Sequence, residues 1–204
     1  ATARLSEFEE QAERAIRPER RLRDALLGLG SRYDWVLVDC PPRTEGLLCA
    51  NALCASTTAV LVVETGAFAL QGALHARVVL EEARGVKGYD FEMAVLATMF
   101  DRRLRIAREL LVALQARFGA ELLDSVVRMS VRLREAPAHG LPVQLLDPSS
   151  RATADFAALA EELSRRTSGA RAAGPSPSRS STTSPIPQRV HEDAPASETR
   201  ARSR

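Results

Sequence analysis

Residues 33–42 read Tyr33-Asp34-Trp35-Val36-Leu37-Val38-Asp39-Cys40-Pro41-Pro42. Four apolar residues, Trp35 to Val38, run without alternation and stop at Asp39. Such a run fits a strand buried on both faces, in the middle of a parallel sheet. Proline donates nothing to a ladder, so Pro41-Pro42 should end the strand. The carboxylate of Asp39 is then expected at the carboxyl end of a buried strand, where open α/β sheets bind ligands. There it could order Mg²⁺ against nucleotide phosphates. The same residues would also suit a buried strand that simply ends in Asp.

The pattern outward from this stretch alternates helix and strand. Ser6 and Glu9 form a capping box for a helix over 5–16, interrupted at Pro18. Leu22, Leu26 and Leu29 align on a helix over 19–29, with Gly30 as its stop. A short helix is expected at 47–54, a second buried strand at 59–63, and a long amphipathic helix at 68–84. A third strand follows at 93–99. A helix over 104–118 would carry Ile106, Leu110, Leu114 and Phe118 on one face. A fourth strand spans 122–127. Pro137, Gly140 and Pro142 demand loop or broken helix, and the last helix covers 151–166. Strands alternating with helices at this spacing imply a parallel sheet with right-handed connections.

Composition sets bounds on function. With 204 residues, 45% hydrophobic and 26% charged, the chain has enough apolar material for one core. The net charge is only +2, so there is no global basic field and any nucleic-acid site must be local. Residues 168–204 hold six arginines against three acidic residues, without apolar periodicity, and read as a disordered Ser/Pro/Arg-rich tail behind a domain over 1–167. Cys40, Cys49 and Cys54 match no zinc spacing and suit no disulfide framework; they read as reduced, buried thiols of a cytosolic protein. No apolar stretch is long enough for a membrane span, and no signal peptide is expected. The chain begins at Ala1 rather than Met, which suggests processing or a fragment.

Several segments then share one order and spacing. They are the Tyr33–Pro42 stretch, Asn51-Ala52-Leu53, Phe68-Ala69-Leu70-Gln71-Gly72 and Thr98-Met99-Phe100-Asp101. Val131-Arg132-Leu133-Arg134-Glu135-Ala136-Pro137, Gly140-Leu141-Pro142 and Asp147-Pro148 follow. Over about 20–166 the chain resembles the ParA/Soj partition ATPases, a deviant-Walker-A branch of the P-loop fold to which MinD and related cargo-positioning ATPases are close. The resemblance implies a three-layer α/β fold, a mostly parallel sheet flanked by helices, with the N-terminal part missing.

The same resemblance implies the chemistry. ATP and Mg²⁺ are the cofactors, an ATP-bound homodimer binds non-specific DNA, and a ParB-like or other partner stimulates hydrolysis and release. The setting is the bacterial cytoplasm and nucleoid, in chromosome or plasmid partitioning or cargo positioning. Asp39 corresponds to the Walker-B carboxylate that holds Mg²⁺ through water. Asp39, Pro41 and Ser130 fall at nucleotide-binding positions, and Arg103 and Arg132 at DNA-contacting ones. Arginine suits that role because it is always charged and forks onto phosphate oxygens. Arg102, Arg103, Arg105 and Arg108 also crowd a helix start, where positive charge opposes the macrodipole unless an anion relieves it.

The chain departs from the family in places. No G-x-x-x-x-G-K-[ST] occurs, and the only lysine, Lys87, has no Ser or Thr after it. These residues alone are therefore expected to lack a phosphate cradle and to turn over no ATP. Arg43-Thr44-Glu45-Gly46 is one residue longer than the family's usual loop. Arg128-Met129-Ser130 stands where Pro-Arg-Asn is common, which loses an amide's reach toward the base. Two rival readings remain. One is a non-catalytic ParA-like adaptor without a P-loop, acting by protein–protein or DNA binding. The other is a relative that uses nucleotide for metal-cluster or cofactor assembly.

Overall fold

A computed structural model describes residues 16–29, 32–40, 46–66 and 68–172. Its centre is a parallel sheet of three strands among those residues, in the order β1 (Thr58–Glu64), β2 (Glu92–Phe100), β3 (Leu122–Arg128). β1 runs in unbroken register with β2, from Thr58 opposite Glu92 to Glu64 opposite Thr98. β2 and β3 pair less regularly. Val95 faces Leu122 and Ala97 faces Val126, so β3 spends extra residues in between and bulges.

The helices come where the apolar period asks for them. α1 (Arg21–Leu27) follows a short 3-10 turn at Pro18–Arg20, and α2 is Leu47–Ala55. α3 (Ala69–Gly85) joins β1 to β2, and α4 (Arg105–Phe118) joins β2 to β3. Beyond β3 lie α5 (Val131–Glu135), a 3-10 turn at Ala136–His139, α6 (Val143–Leu146) and the long α7 (Arg151–Ala172). Gly140 closes the 3-10 turn at φ +63°, a conformation that strains any residue with a Cβ, and its N–H reaches the Pro137 carbonyl at 3.1 Å.

Two cores make three layers. Val63, Met93, Val95, Ala97 and Leu122 turn one sheet face toward Ala73, Leu80 and Ala83 of α3 and Leu110, Leu114 and Phe118 of α4. Successive crossovers of one hand put both helices on that face. Ala94, Leu96, Leu123 and Val127 turn the other face toward Leu159, Phe156 and Leu163 of α7. A third cluster, Ala136, Val143 and Ala152, fixes the α5–α6 region to the start of α7. Asn51 is buried and fully used. Its side chain accepts the Leu22 N–H at 3.0 Å and donates to the Pro18 carbonyl at 2.8 Å and the Leu47 carbonyl at 3.0 Å, tying α1 to α2.

Several sequence expectations need correction. Residues 33–40 form no strand; Trp35 to Val38 are exposed, Leu37 to 86%. A strand is buried only when neighbours take its hydrogen bonds and cover both faces, and among the described residues none pairs with this stretch. β1 is not buried on both faces either. Ala59, Leu61 and Val63 pack inward while Val60 and Val62 stay exposed, because α7 covers only β2 and β3 on that side. The buried stripe of α4 begins at Ala107, and Ile106 is 48% exposed. Cys49 is buried, but Cys40 is exposed. α7 runs on to Ala172 rather than ending at 166. The helix over 5–16 (save for Ile16, which lies in a bend), the Gly30 stop and the remainder of the 168–204 tail lie outside the described residues.

Candidate anion-binding cleft at the carboxyl end of the sheet

Parallel strands deliver their carboxyl ends to one edge, and at β2 and β3 the chain there is sharply bent. Met99 adopts φ +54°, unusual for a residue with a side chain. The turn is held from three sides. The Thr65 hydroxyl donates to the Met99 carbonyl at 2.9 Å, the Thr65 N–H to the Thr98 carbonyl at 3.1 Å, and the Met129 N–H to the Phe100 carbonyl at 3.1 Å. Beside this bend lies a cleft of about 480 Å³, lined by Phe100, Asp101, Met129 and Ser130 among others. Arg102, Arg103, Arg128, Arg132 and Arg151 line it against only two acids, Asp101 and Asp155.

Each ion pair here has a local cause. Asp101 accepts the Arg103 backbone N–H at 3.0 Å and, with both oxygens, the Arg103 guanidinium down to 2.8 Å. Those bonds hold the Asp101 carboxyl at about 2. Arg132 lies between Glu135 (2.8 Å) and Asp147 (3.1 Å), which raise its affinity for the proton further. Asp155, nearly buried on α7, accepts the Arg128 N–H at 3.0 Å and grips its guanidinium with both oxygens, 2.5 Å at the shortest. Such a forked, charge-assisted pair fixes the loop after β3 to α7. The Ser150 hydroxyl accepts the Thr153 N–H at 3.2 Å and so caps α7.

The structure thus brings together Arg103, Ser130 and Arg132, all of which line the cleft. It does not bring Asp39 to them. Asp39 is exposed at the end of the unpaired 33–40 stretch and lines no part of the cleft. Pro41 lies outside the described residues. No three His, Cys, Asp or Glu side chains converge on a metal position among the described residues. Magnesium is ordinarily held by one or two carboxylates together with substrate phosphates. Asp39 without a phosphate cradle does not by itself make that site. Sequence reading missed Arg128, Asp155 and Arg151. The signal was a carboxylate, Asp155, one position from Phe156 on the apolar stripe of a helix, with an arginine where the family commonly has proline.

Comparison with known proteins agrees with this architecture. The AAA_31 family model, an AAA domain, matches residues 1–85. The chromosome partitioning protein ParA of Myxococcus xanthus is 34% identical over 149 residues, 72% of this chain and 52% of the relative. The sporulation initiation inhibitor protein Soj of Bacillus subtilis is 35% identical over 167 residues, 80% of this chain and 64% of the relative. The chain belongs to the ParA/MinD-like partition ATPase family. It spans about half to two-thirds of the length of these relatives. Among solved structures, cobyrinic acid a,c-diamide synthase of Mycobacterium smegmatis superposes with a TM-score of 0.67 at 20% identity, over 82% of this chain and 61% of that one. The likeness shows a shared fold, three layers around a parallel sheet. That synthase has also been solved with ADP and magnesium. Among the described residues no helix is long and apolar enough to cross a membrane.

Proposed function

We propose that this chain serves a ParA-like partition ATPase in moving chromosomes, plasmids or other cargo, and that it binds DNA without sequence preference at the carboxyl end of its sheet. One observation carries the reading. The arginines that the family resemblance assigns to DNA, Arg103 and Arg132, share a single cleft with three more arginines and only two acids. Sequence-independent binding requires phosphate contacts and nothing else, and arginine supplies them.

On this reading ATP and Mg²⁺ bind the family's intact protein and drive a homodimer, with Asp39 as the Walker-B carboxylate, Pro41 beside it and Ser130 near the base. A ParB-like partner then stimulates hydrolysis. The phosphates are held by residues other than these 204, which contain no G-x-x-x-x-G-K-[ST]. The same absence favours a second reading, a ParA-like adaptor that binds DNA or protein with no use for nucleotide.

Fluorescence anisotropy with a labelled duplex of arbitrary sequence tests the proposal. Affinity is expected to fall linearly with the logarithm of salt, by about 0.9 decade per decade for each phosphate neutralised. A flat salt response, or no binding, contradicts it. ATP turnover by the 204-residue chain, abolished by Asp39→Ala, would contradict the assignment of the phosphate cradle elsewhere. DNA affinity of the intact protein that is indifferent to Mg-ATP selects the adaptor.

A further inference from the structure

The five arginines of the cleft are not equivalent. Arg103 is closed on Asp101, Arg128 on Asp155, and Arg132 on Glu135 and Asp147. Arg102 and Arg151 are exposed, and among the described residues their guanidinium groups make no hydrogen bond or ion pair, although the charge of Arg102 helps hold the Asp101 carboxyl down. Both line the same cleft, one on the loop that leaves β2 and the other at the first turn of α7.

The state of these groups decides which of them can take a phosphate at least cost. A paired guanidinium must give up one anion to gain another, so much of the gain cancels. An unpaired, exposed one loses only water and a loosely held counterion, and its release of condensed cations from DNA is a net gain. We propose that Arg102 and Arg151 are the residues that clasp a backbone phosphate of DNA in this cleft. Arg103 then adds to binding only by exchanging Asp101 for phosphate, and Arg132 only by exchanging Glu135 and Asp147. This inference rests on the DNA-binding reading above and assigns it to residues that the family resemblance does not mark.

The test is salt-dependent anisotropy on the intact protein, comparing Arg102→Ala, Arg151→Ala and, as a control for charge alone, Arg117→Ala. Arg117 is exposed at the end of α4, at the opposite end of the strands. Arg102→Ala and Arg151→Ala should each weaken binding several-fold and each reduce the salt slope by about one. Arg102→Lys and Arg151→Lys should keep the slope, since the charge remains. Arg117→Ala should leave both quantities near wild type. If the two cleft variants bind no worse than Arg117→Ala while wild type binds DNA, the inference is wrong and the DNA reading survives. If they lose affinity for ATP but keep it for DNA, the clasp belongs to a nucleotide phosphate and the inference is again wrong. If wild type binds no DNA, the reading beneath it goes first. Circular dichroism melts that match wild type exclude loss of fold as the cause.

Discussion

Replacing Glu162 by alanine is expected to destabilise the fold by about 3 kcal/mol, because one buried carboxylate holds together a bulged strand, a helix and an arginine. The side chain is only 6% exposed. Its oxygens accept the N–H groups of Asp124 and Ser125 at 2.9 and 2.8 Å, inside the bulge of β3. Arg166, one turn further along α7, donates to it at 3.3 Å and also to the carbonyls of Ala120 and Leu122. Alanine leaves two backbone donors without their acceptor, each at a cost of about 1–3 kcal/mol when buried, and takes one of three acceptors from the Arg166 guanidinium. Part of that is recovered by water, which gives the smaller total. Thermal melts should show a fall of roughly 6–12 °C for a domain of this size.

The same residue fixes a pH dependence. Burial pushes the Glu162 carboxyl up, but the hydrogen bonds from Ser125 and Asp124 and the charge of Arg166 outweigh it, and the net shift is downward. A carboxyl with a depressed pKa in the folded state contributes stability above its unfolded pKa and loses it as pH falls through the folded value. Wild type should therefore weaken progressively below the ordinary carboxylate range, around pH 4. Glu162→Gln, which cannot titrate, should be less stable at neutral pH and show a flatter acid arm. Equal acid slopes for the two proteins would contradict the role given to this carboxylate.

Leu114→Ala is expected to cost about 3–4 kcal/mol, within the range for fully buried leucines. Leu114 is 0% exposed, in the middle of the α4 stripe that packs on β2 and β3. Truncation removes its contacts and leaves a void that rigid strands on one side cannot close. Ile106→Ala, on the same helix, should cost well under half as much because that side chain is half in water. Periodicity alone puts both residues on one face, so urea titrations of the pair separate the observed packing from the sequence pattern. Equal losses would place α4 differently on the sheet.

That pair also shows what was legible in the sequence. Alternation of apolar runs with amphipathic segments was enough to find β1, β2 and β3 and the helices between them, since each signal lies within its own element. It could not show which faces are covered, because cover comes from a distant element. Val60 and Val62 read as buried, yet α7 stops short of them. Trp35 to Val38 carry the composition of a central strand, but composition records what a strand would tolerate around it and not which neighbours are present. At the cleft, the shared order of motifs pointed to Arg103, Ser130 and Arg132, and they do converge. What it could not supply was their partners. Asp155 meets Arg128 across 27 positions, Glu162 meets Asp124 across 38, and only the packing of α7 on β3 brings them together.

The central claim is that DNA is held at the carboxyl end of the sheet, in the arginine-lined cleft. Amide hydrogen exchange on the intact protein, with and without an arbitrary duplex, tests it most directly. Slower exchange with DNA is expected in residues 100–103 and 128–132 and in the first turn of α7, with α3 unchanged. Binding that leaves those segments unaffected and protects α3 or the outer edge of β1 would contradict the claim.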